Sequence, residues 1–215
     1  MVKLLSDPDT LNNDKEASRL AYIRACLESA TPPLPKFDTS HRIAAVAVVI
    51  RPIGNSTDIL FIKRATVEGD PWSGQMAFPG GHMDPADASP QMAAIRETEE
   101  ETGVHLSMDL CLGRLAHQSP ANRPRRQPMV VVPFVFGLPH DPRVNINHEV
   151  EEVVWGNMSE MMDGTLLATK TLEFAGSSAE FEGYLLGDGK FVWGLTYRTL
   201  QTLFRALNTC YVESH

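Results

Sequence analysis

In the stretch RETEEETG, residues 96–103, Glu97, Glu100 and Glu101 stand at i, i+3 and i+4. Successive helix residues turn by about 100°, so these three carboxylates share one face and Glu99 points elsewhere. Like charges at that spacing are destabilising. Gly103 closes the segment, and the C-terminal end of a helix already carries partial negative charge. A cation among the carboxylates removes the repulsion. Hard divalent ions such as Mg²⁺ favour oxygen ligands, and a few carboxylates commonly hold them together with substrate phosphates. Taken by itself, a Glu-rich run is more simply a solvated helix face. Two neighbours favour the metal. Phe78-Pro79-Gly80-Gly81 lets the backbone approach a ligand closely. Arg96 can pair with Glu100 at i, i+4 and hold the carboxylates in place. A calcium loop starting at Asp84 fails, because its sixth position is Ser89 rather than Gly and its twelfth is Ile95 rather than Glu.

The elements around these residues can be read outward. Ser89 is a good N-cap and Pro90 suits the first helical position, so a helix is expected from about Pro90 to Thr102. Gly103 stands where a left-handed closing residue belongs. Residues 67–89 read as a Gly- and Pro-rich loop. Before it, IAAVAVVI (43–50) is a continuous apolar run suited to a strand buried on both faces. DILFIKR (58–64) follows the turn-prone GNST and reads as its hairpin partner. Strands are expected around 110–117, along MVVVPFVFGL, at EEVVWGNM, and in LLATKTLEF and FEGYLLGDGKFVWG, with Gly187-Asp188-Gly189 as a turn. Helices are expected at 14–30, with Leu20, Ile23 and Leu27 on one side, and at 193–207. This pattern predicts an α/β protein, a mixed sheet with helices packed on it.

The chain has 215 residues, enough for one domain with a real core. A helical extension and linker over 1–40 and a main domain over 41–215 are the expected division. No apolar run reaches the roughly 18 residues of a membrane span, and the N-terminus lacks the apolar core of a signal peptide. Cys26, Cys111 and Cys210 are far apart and odd in number, so a disulfide framework or zinc site is not expected and a cytoplasmic location fits. They read as small buried apolar residues. A net charge of -8 argues against a dedicated nucleic-acid binder. The one dense basic cluster is Arg123, Arg125 and Arg126.

GGHMDPADASPQMAAIRETEEETGV resembles the Nudix box, G-x5-E-x7-R-E-U-x-E-E-x-G-U with U apolar. Gly81 takes the first glycine, and Arg96, Glu97, Glu100, Glu101, Gly103 and Val104 match the second half. Asp87 stands where the first Glu is expected, the spacer is one residue longer, and Thr98 replaces an apolar residue. The longer spacer with Asp is similar to the coenzyme A pyrophosphatase branch of the family. Upstream, LFIKRATVEGDPWSGQMAFPGG resembles that branch's signature at Leu60, Arg64, Ala65, Gly74 and FPGG, with Asp70 where a second Arg is usual.

The resemblance implies a Nudix fold, an α/β/α sandwich with a mixed β-sheet. It implies Mg²⁺- or Mn²⁺-dependent hydrolysis of a small-molecule diphosphate, with coenzyme A or an acyl-coenzyme A as candidates. It implies Glu97 and Glu101 as metal ligands with Glu100 beside them, the Gly80 or Gly81 carbonyl as a further ligand, and Arg96 as the group orienting the carboxylates. Family members often take a general base from outside the box, and Glu149 in NHEVEEVVW is the candidate here. Hydrolysis of ADP-ribose, dinucleoside polyphosphates or nucleotides is the alternative within the enzyme class. A non-catalytic nucleotide-binding module is the alternative outside it, disfavoured by the retained carboxylates.

Among the remaining residues, Arg64 ends a strand leading into the glycine loop and is a candidate diphosphate contact. Arg125 is a candidate for an anionic tail, beside the plainer reading of a solvated loop. Trp72 is expected to pack its loop down, and Trp155 and Trp193 to serve packing. The seven His lack metal-ligand spacing. The 14–30 helix and the late hairpins could form a homodimer interface.

Overall fold

The computed structural model describes residues 8–30, 33, 42–69, 72–120, 128–174 and 177–213. Strand β1 (Arg42–Ile53) turns through Gly54 and Asn55 into antiparallel β2 (Ser56–Arg64), with Ile50 opposite Ile59 and Ile53 opposite Ser56. Gly54 has φ +56, a conformation that two-residue hairpin turns need and glycine supplies. The apolar run divides by alternation. Ala45, Ala47 and Val49 face one core cluster, and Val48 and Ile50 face another. Both faces of the strand are therefore buried, as the continuous run predicted.

On the other side of β1 lies β6 (Met129–Gly137), parallel to it from Arg42↔Met129 to Ile50↔Gly137, and β6 pairs antiparallel with β5 (Cys111–Arg114). Strand β2 carries the antiparallel β3 (Met76–Ala77) and β7 (Val150–Asn157). Strand β4 (Gly80–His82) pairs with β1 at Ala44, Ala45 and Val46. The main sheet is thus mixed.

Helix α2 (Pro90–Thr102) covers one face, where Ala93, Ala94 and Ile95 join the Ala45 cluster. The opposite face is covered by α1 (Pro8–Ala30) and α4 (Gly194–Glu213), which bury Ile23, Leu27, Leu200, Leu203, Phe204 and Leu207 with Val48 and Ile50. Burying each such side chain contributes roughly 1.5–3 kcal/mol. The result is the α/β/α sandwich expected. A second, three-stranded sheet follows, in the order β10 (Phe191–Trp193), β9 (Ser177–Leu185), β8 (Leu167–Phe174), with the expected Gly187-Asp188-Gly189 turn before β10. Among the described residues no helix is long and apolar enough to cross a membrane.

Three expectations need correction. The stretch 67–89 is not all loop, because β3 and β4 lie in it; strands of two and three residues are too short to show alternation. Helix α3 (Met158–Met162) was not expected, being one turn long, with Asn157 capping it and Met158 and Met161 buried. The cysteines are not all unpaired. Cys26 and Cys210 form a disulfide with a Cα separation of 5.3 Å, while Cys111 is free. They are 184 residues apart, and only the packing of α1 beside α4 brings them together.

Candidate active site

The helix bearing the carboxylates is fixed at both ends and along one side. The Ser89 hydroxyl accepts from Met92 N at 3.3 Å, Pro90 opens the first turn, and Gly103 (φ +69) donates its N–H to the Glu99 carbonyl at 2.8 Å. Thr98, where the family motif has an apolar residue, is fully buried. Its hydroxyl donates to the Ala94 carbonyl at 2.7 Å, so the buried polar group is satisfied within the helix. With Ala94 and Thr98 turned inward, Glu97 and Glu101 are left facing β4.

Glu101 is only 2 % exposed, and its Oε2 accepts the Gly80 N–H at 2.8 Å. Gly80 has φ +145, and a β-carbon there would overlap the Ala45 carbonyl and Val46 Cα, so only glycine lets β4 lie this close to β1. A β-carbon on Gly81 would overlap the Glu97 carboxylate instead. The two glycines therefore have separate jobs: one admits the backbone and the other admits the carboxylate.

Arg96 ties the site to its own loop. Its Nε and Nη2 donate to the two Asp87 oxygens at 3.2 and 3.0 Å, and Nη2 also donates to the His82 carbonyl at 3.2 Å. Its Nη1 donates to Glu97 Oε1 and to Glu100 Oε2, both at 3.0 Å. The Asp87 departure from the motif is thus absorbed by a two-point Arg–carboxylate pair. Glu100 is half exposed and lies on the far side of that guanidinium. Glu99 turns away and meets His105 at 2.9 Å.

Arg64 and Glu149 arrive from the β2–β7 edge. Arg64 stands opposite Val150 at a register shift, and Ala65 N donates to the Glu149 carbonyl at 2.8 Å. The loop before β7 is tied to α2 by Asn145 N to Thr102 O at 2.8 Å and Asn147 N to Glu101 O at 3.3 Å. The Asn147 side-chain oxygen accepts the Glu149 N–H at 2.9 Å. Burial pushes Glu101 up to about 7 against the Gly80 N–H; Glu97 and Glu149 add repulsion and Arg64 opposes it. Glu97 is also raised, by burial first, against the pull of Arg96. Asp87 is lowered, chiefly by its bonds from Arg96.

The structure therefore brings together Glu97, Glu101, Gly80, Gly81, Arg96, Arg64 and Glu149, with Glu100 on the rim. Arg125 lies outside the described residues. Trp72 is exposed. Trp193 packs on Phe181 at 4.7 Å between ring centres, and Trp155 lies 3.9 Å beneath the Arg51 guanidinium, so both serve packing. Asp87 and Asn147 had no assigned part in the sequence reading. The motif position marked Asp87, whereas nothing local marked Asn147.

The donors suit a hard divalent cation. Two carboxylates and a glycine backbone offer oxygen only, and both carboxylates are held where ionisation is resisted, a deficit that a cation makes good. Among the described residues no three His, Cys, Asp or Glu side chains are already arranged as a metal site. Glu97 and Glu101 would share such an ion with backbone, water or phosphate oxygens, the usual manner for Mg²⁺.

Comparison with known proteins bears on the family and the fold. The NUDIX domain model matches residues 40–175. The chain is 30 % identical over 174 residues to the uncharacterized Nudix hydrolase NudL of Photorhabdus laumondii, covering 80 % of this chain and 88 % of that one. It is 31 % identical over 115 residues to the uncharacterized protein C14C4.10c of Schizosaccharomyces pombe. That match covers 52 % of this chain and spans only 35 % of the yeast protein's length. Among solved structures, a MutT/nudix family protein from Enterococcus faecalis superposes with a TM-score of 0.55 at 19 % identity, over 95 % of this chain and 76 % of that one. That likeness concerns the fold.

Proposed function

This chain belongs to the Nudix family of pyrophosphohydrolases, and on that premise we propose that it cleaves the diphosphate bridge of a nucleoside diphosphate derivative with Mg²⁺ or Mn²⁺. The observation that carries the reading is the clasp of β4 on α2: Glu101 buried on the Gly80 N–H, and Glu97 seated where only a glycine at 81 leaves room. Glu97 and Glu101 would hold the ion, with Glu100 and the Gly81 carbonyl beside them. When bound, the ion neutralises the diphosphate and acidifies water. Arg96 keeps the Glu97 and Glu100 carboxylates oriented through Nη1, and Asp87 keeps Arg96 in place. Glu149 takes the proton of the attacking water, supported by the backbone ties that set it beside Glu97 and Glu101. Arg64 meets the diphosphate as a planar cation suited to phosphate oxygens.

Coenzyme A or an acyl-coenzyme A is the first substrate we propose, on the match at Leu60, Arg64, Ala65, Gly74 and FPGG. A cytoplasmic setting goes with that choice. The test is product release from coenzyme A, dephospho-coenzyme A, ADP-ribose, NADH, dinucleoside polyphosphates and nucleoside di- and triphosphates, each with Mg²⁺, Mn²⁺ or EDTA. Metal-dependent cleavage at a diphosphate bridge, strongest for one compound, is the expected result. Tight metal binding without cleavage of any compound contradicts the reading and favours a nucleotide-binding module.

A further inference from the structure

Outside the carboxylate site, α4 presents Arg198, Gln201, Thr202 and Arg205 at i, i+3, i+4 and i+7, one face of the helix. This face does not join the core. It forms a wall of a groove of about 440 Å³, whose other walls are the segment Ala116–Gln118 and Glu182 on β9. In a chain of net charge -8 the groove sets two guanidinium groups against one carboxylate. Arg198 is braced by donation to the Ser119 carbonyl at 3.1 Å, and Gln201 by donation to the Tyr184 hydroxyl at 2.7 Å. Among the described residues no carboxylate forms an ion pair with Arg198 or Arg205. Tyr197 adds a hydroxyl, raised by burial first and then by the nearby Glu182 charge, which keeps it a donor at neutral pH.

The groove lies on the α4 face of the main sheet and the carboxylate site on its α2 face, at one level along the strands. Gly81 lies opposite Ala45, Ala45 beside Val132, and the neighbouring Val131 is bridged by Gln118 in both directions at 2.8 Å. Three strand spacings separate Gly81 from Gln118, about 14 Å across the sheet. The start of α4 is also tied to the glycine-loop side, by Thr196 Oγ1 donating to the Met76 carbonyl at 3.4 Å.

We propose that this groove is a second recognition site, for a phosphorylated sugar. The phosphate monoester lies between Arg198 and Arg205, whose forked donors suit its oxygens, and the sugar hydroxyls meet Glu182 and Tyr197. Its occupant is the far arm of the diphosphate substrate, a part of the inference that rests on the proposed hydrolase activity. The site itself does not.

The test keeps the two apart. Ribose 5-phosphate and ribose are titrated calorimetrically in EDTA, where no turnover occurs. Ribose 5-phosphate should bind at least about tenfold more tightly than ribose, and Arg205→Gln and Arg198→Gln should each remove about tenfold of its affinity. Glu101→Gln should bind it like the wild type. No binding at millimolar concentration, or binding unchanged by both arginine variants, overturns the site. A kinetic arm then distinguishes a substrate arm from a free sugar phosphate. With a diphosphate that the enzyme cleaves, ribose 5-phosphate should inhibit competitively and Arg205→Gln should raise KM by about tenfold. Inhibition that does not compete with substrate overturns the substrate-arm assignment.

Discussion

Helices α2 and α4 lie on opposite faces of one sheet and are stabilised in different ways. Helix α4 buries Leu200, Leu203, Phe204 and Leu207 and leaves its arginine heads in water. It is an amphipathic helix held by its apolar face. Helix α2 buries mainly small side chains, Ala93, Ala94 and Thr98, beside Ile95. It has no basic residue in its last turn and carries glutamates there instead. Small residues bury little area each, so α2 depends more on its caps and on Arg96, and it lies close to β1 and β4. That closeness puts Glu101 and Glu97 against a glycine backbone. The helix that stabilises the sheet and the helix that builds the site are thus separable, and variants should separate them.

The largest expected effect falls on α2 and on activity. Glu101→Gln should lower turnover at limiting Mg²⁺ by about a thousandfold, about 4 kcal/mol of transition-state stabilisation. Its amide oxygen can still accept from Gly80, so urea unfolding should show no loss of stability. On α4 the sign reverses. Leu203→Ala should cost about 3 kcal/mol in urea unfolding, while the folded fraction keeps its turnover.

A pH series on metal-free protein sharpens the contrast. Glu101 in the folded state sits at about 7, above its ordinary 4.5. The stability from its proton is full below about 4.5 and is lost as pH rises through 7, an effect of roughly 3 kcal/mol. Glu97 acts in the same direction. Asp87, lowered by Arg96, acts oppositely, and its contribution is lost only as pH falls below its ordinary 3.8. Unfolding at pH 5 and pH 8 should therefore show the metal-free wild type weaker at pH 8, with a smaller difference in Glu101→Gln. The smallest effect expected on activity is at the α1–α4 clasp. Cys210→Ser, or reduction, removes a loop constraint spanning 184 residues and should lower the unfolding free energy by up to about 5 kcal/mol, while leaving the metal dependence of turnover as it was.

The legibility of these regions follows the range of their interactions. Ser89, Pro90 and Gly103 act within a turn of α2, so its limits could be read from the sequence. The run 43–50 predicted a doubly buried strand because an unbroken apolar run, with no polar residue at alternate positions, is the whole of that signal. Arg96 to Glu100 is one helical turn and was readable too. Asn147, the β4 clasp and the Cys26–Cys210 pair depend on segments that meet only after the sheet has formed. The groove beside α4 joins residues from 116 to 205, and only the helix at 193–207 was visible in advance.

The central claim is that the buried Glu101–Glu97 pair is where a divalent cation enables hydrolysis. Mg²⁺ titrated into wild type and Glu101→Gln, with thermal unfolding and turnover followed on the same samples, tests it most directly. Mg²⁺ should raise the Tm of the wild type by binding the folded state, with turnover rising along the same curve, and should do neither in Glu101→Gln. Equal Tm shifts in the two proteins, or near-normal turnover in the variant at limiting Mg²⁺, would contradict the account.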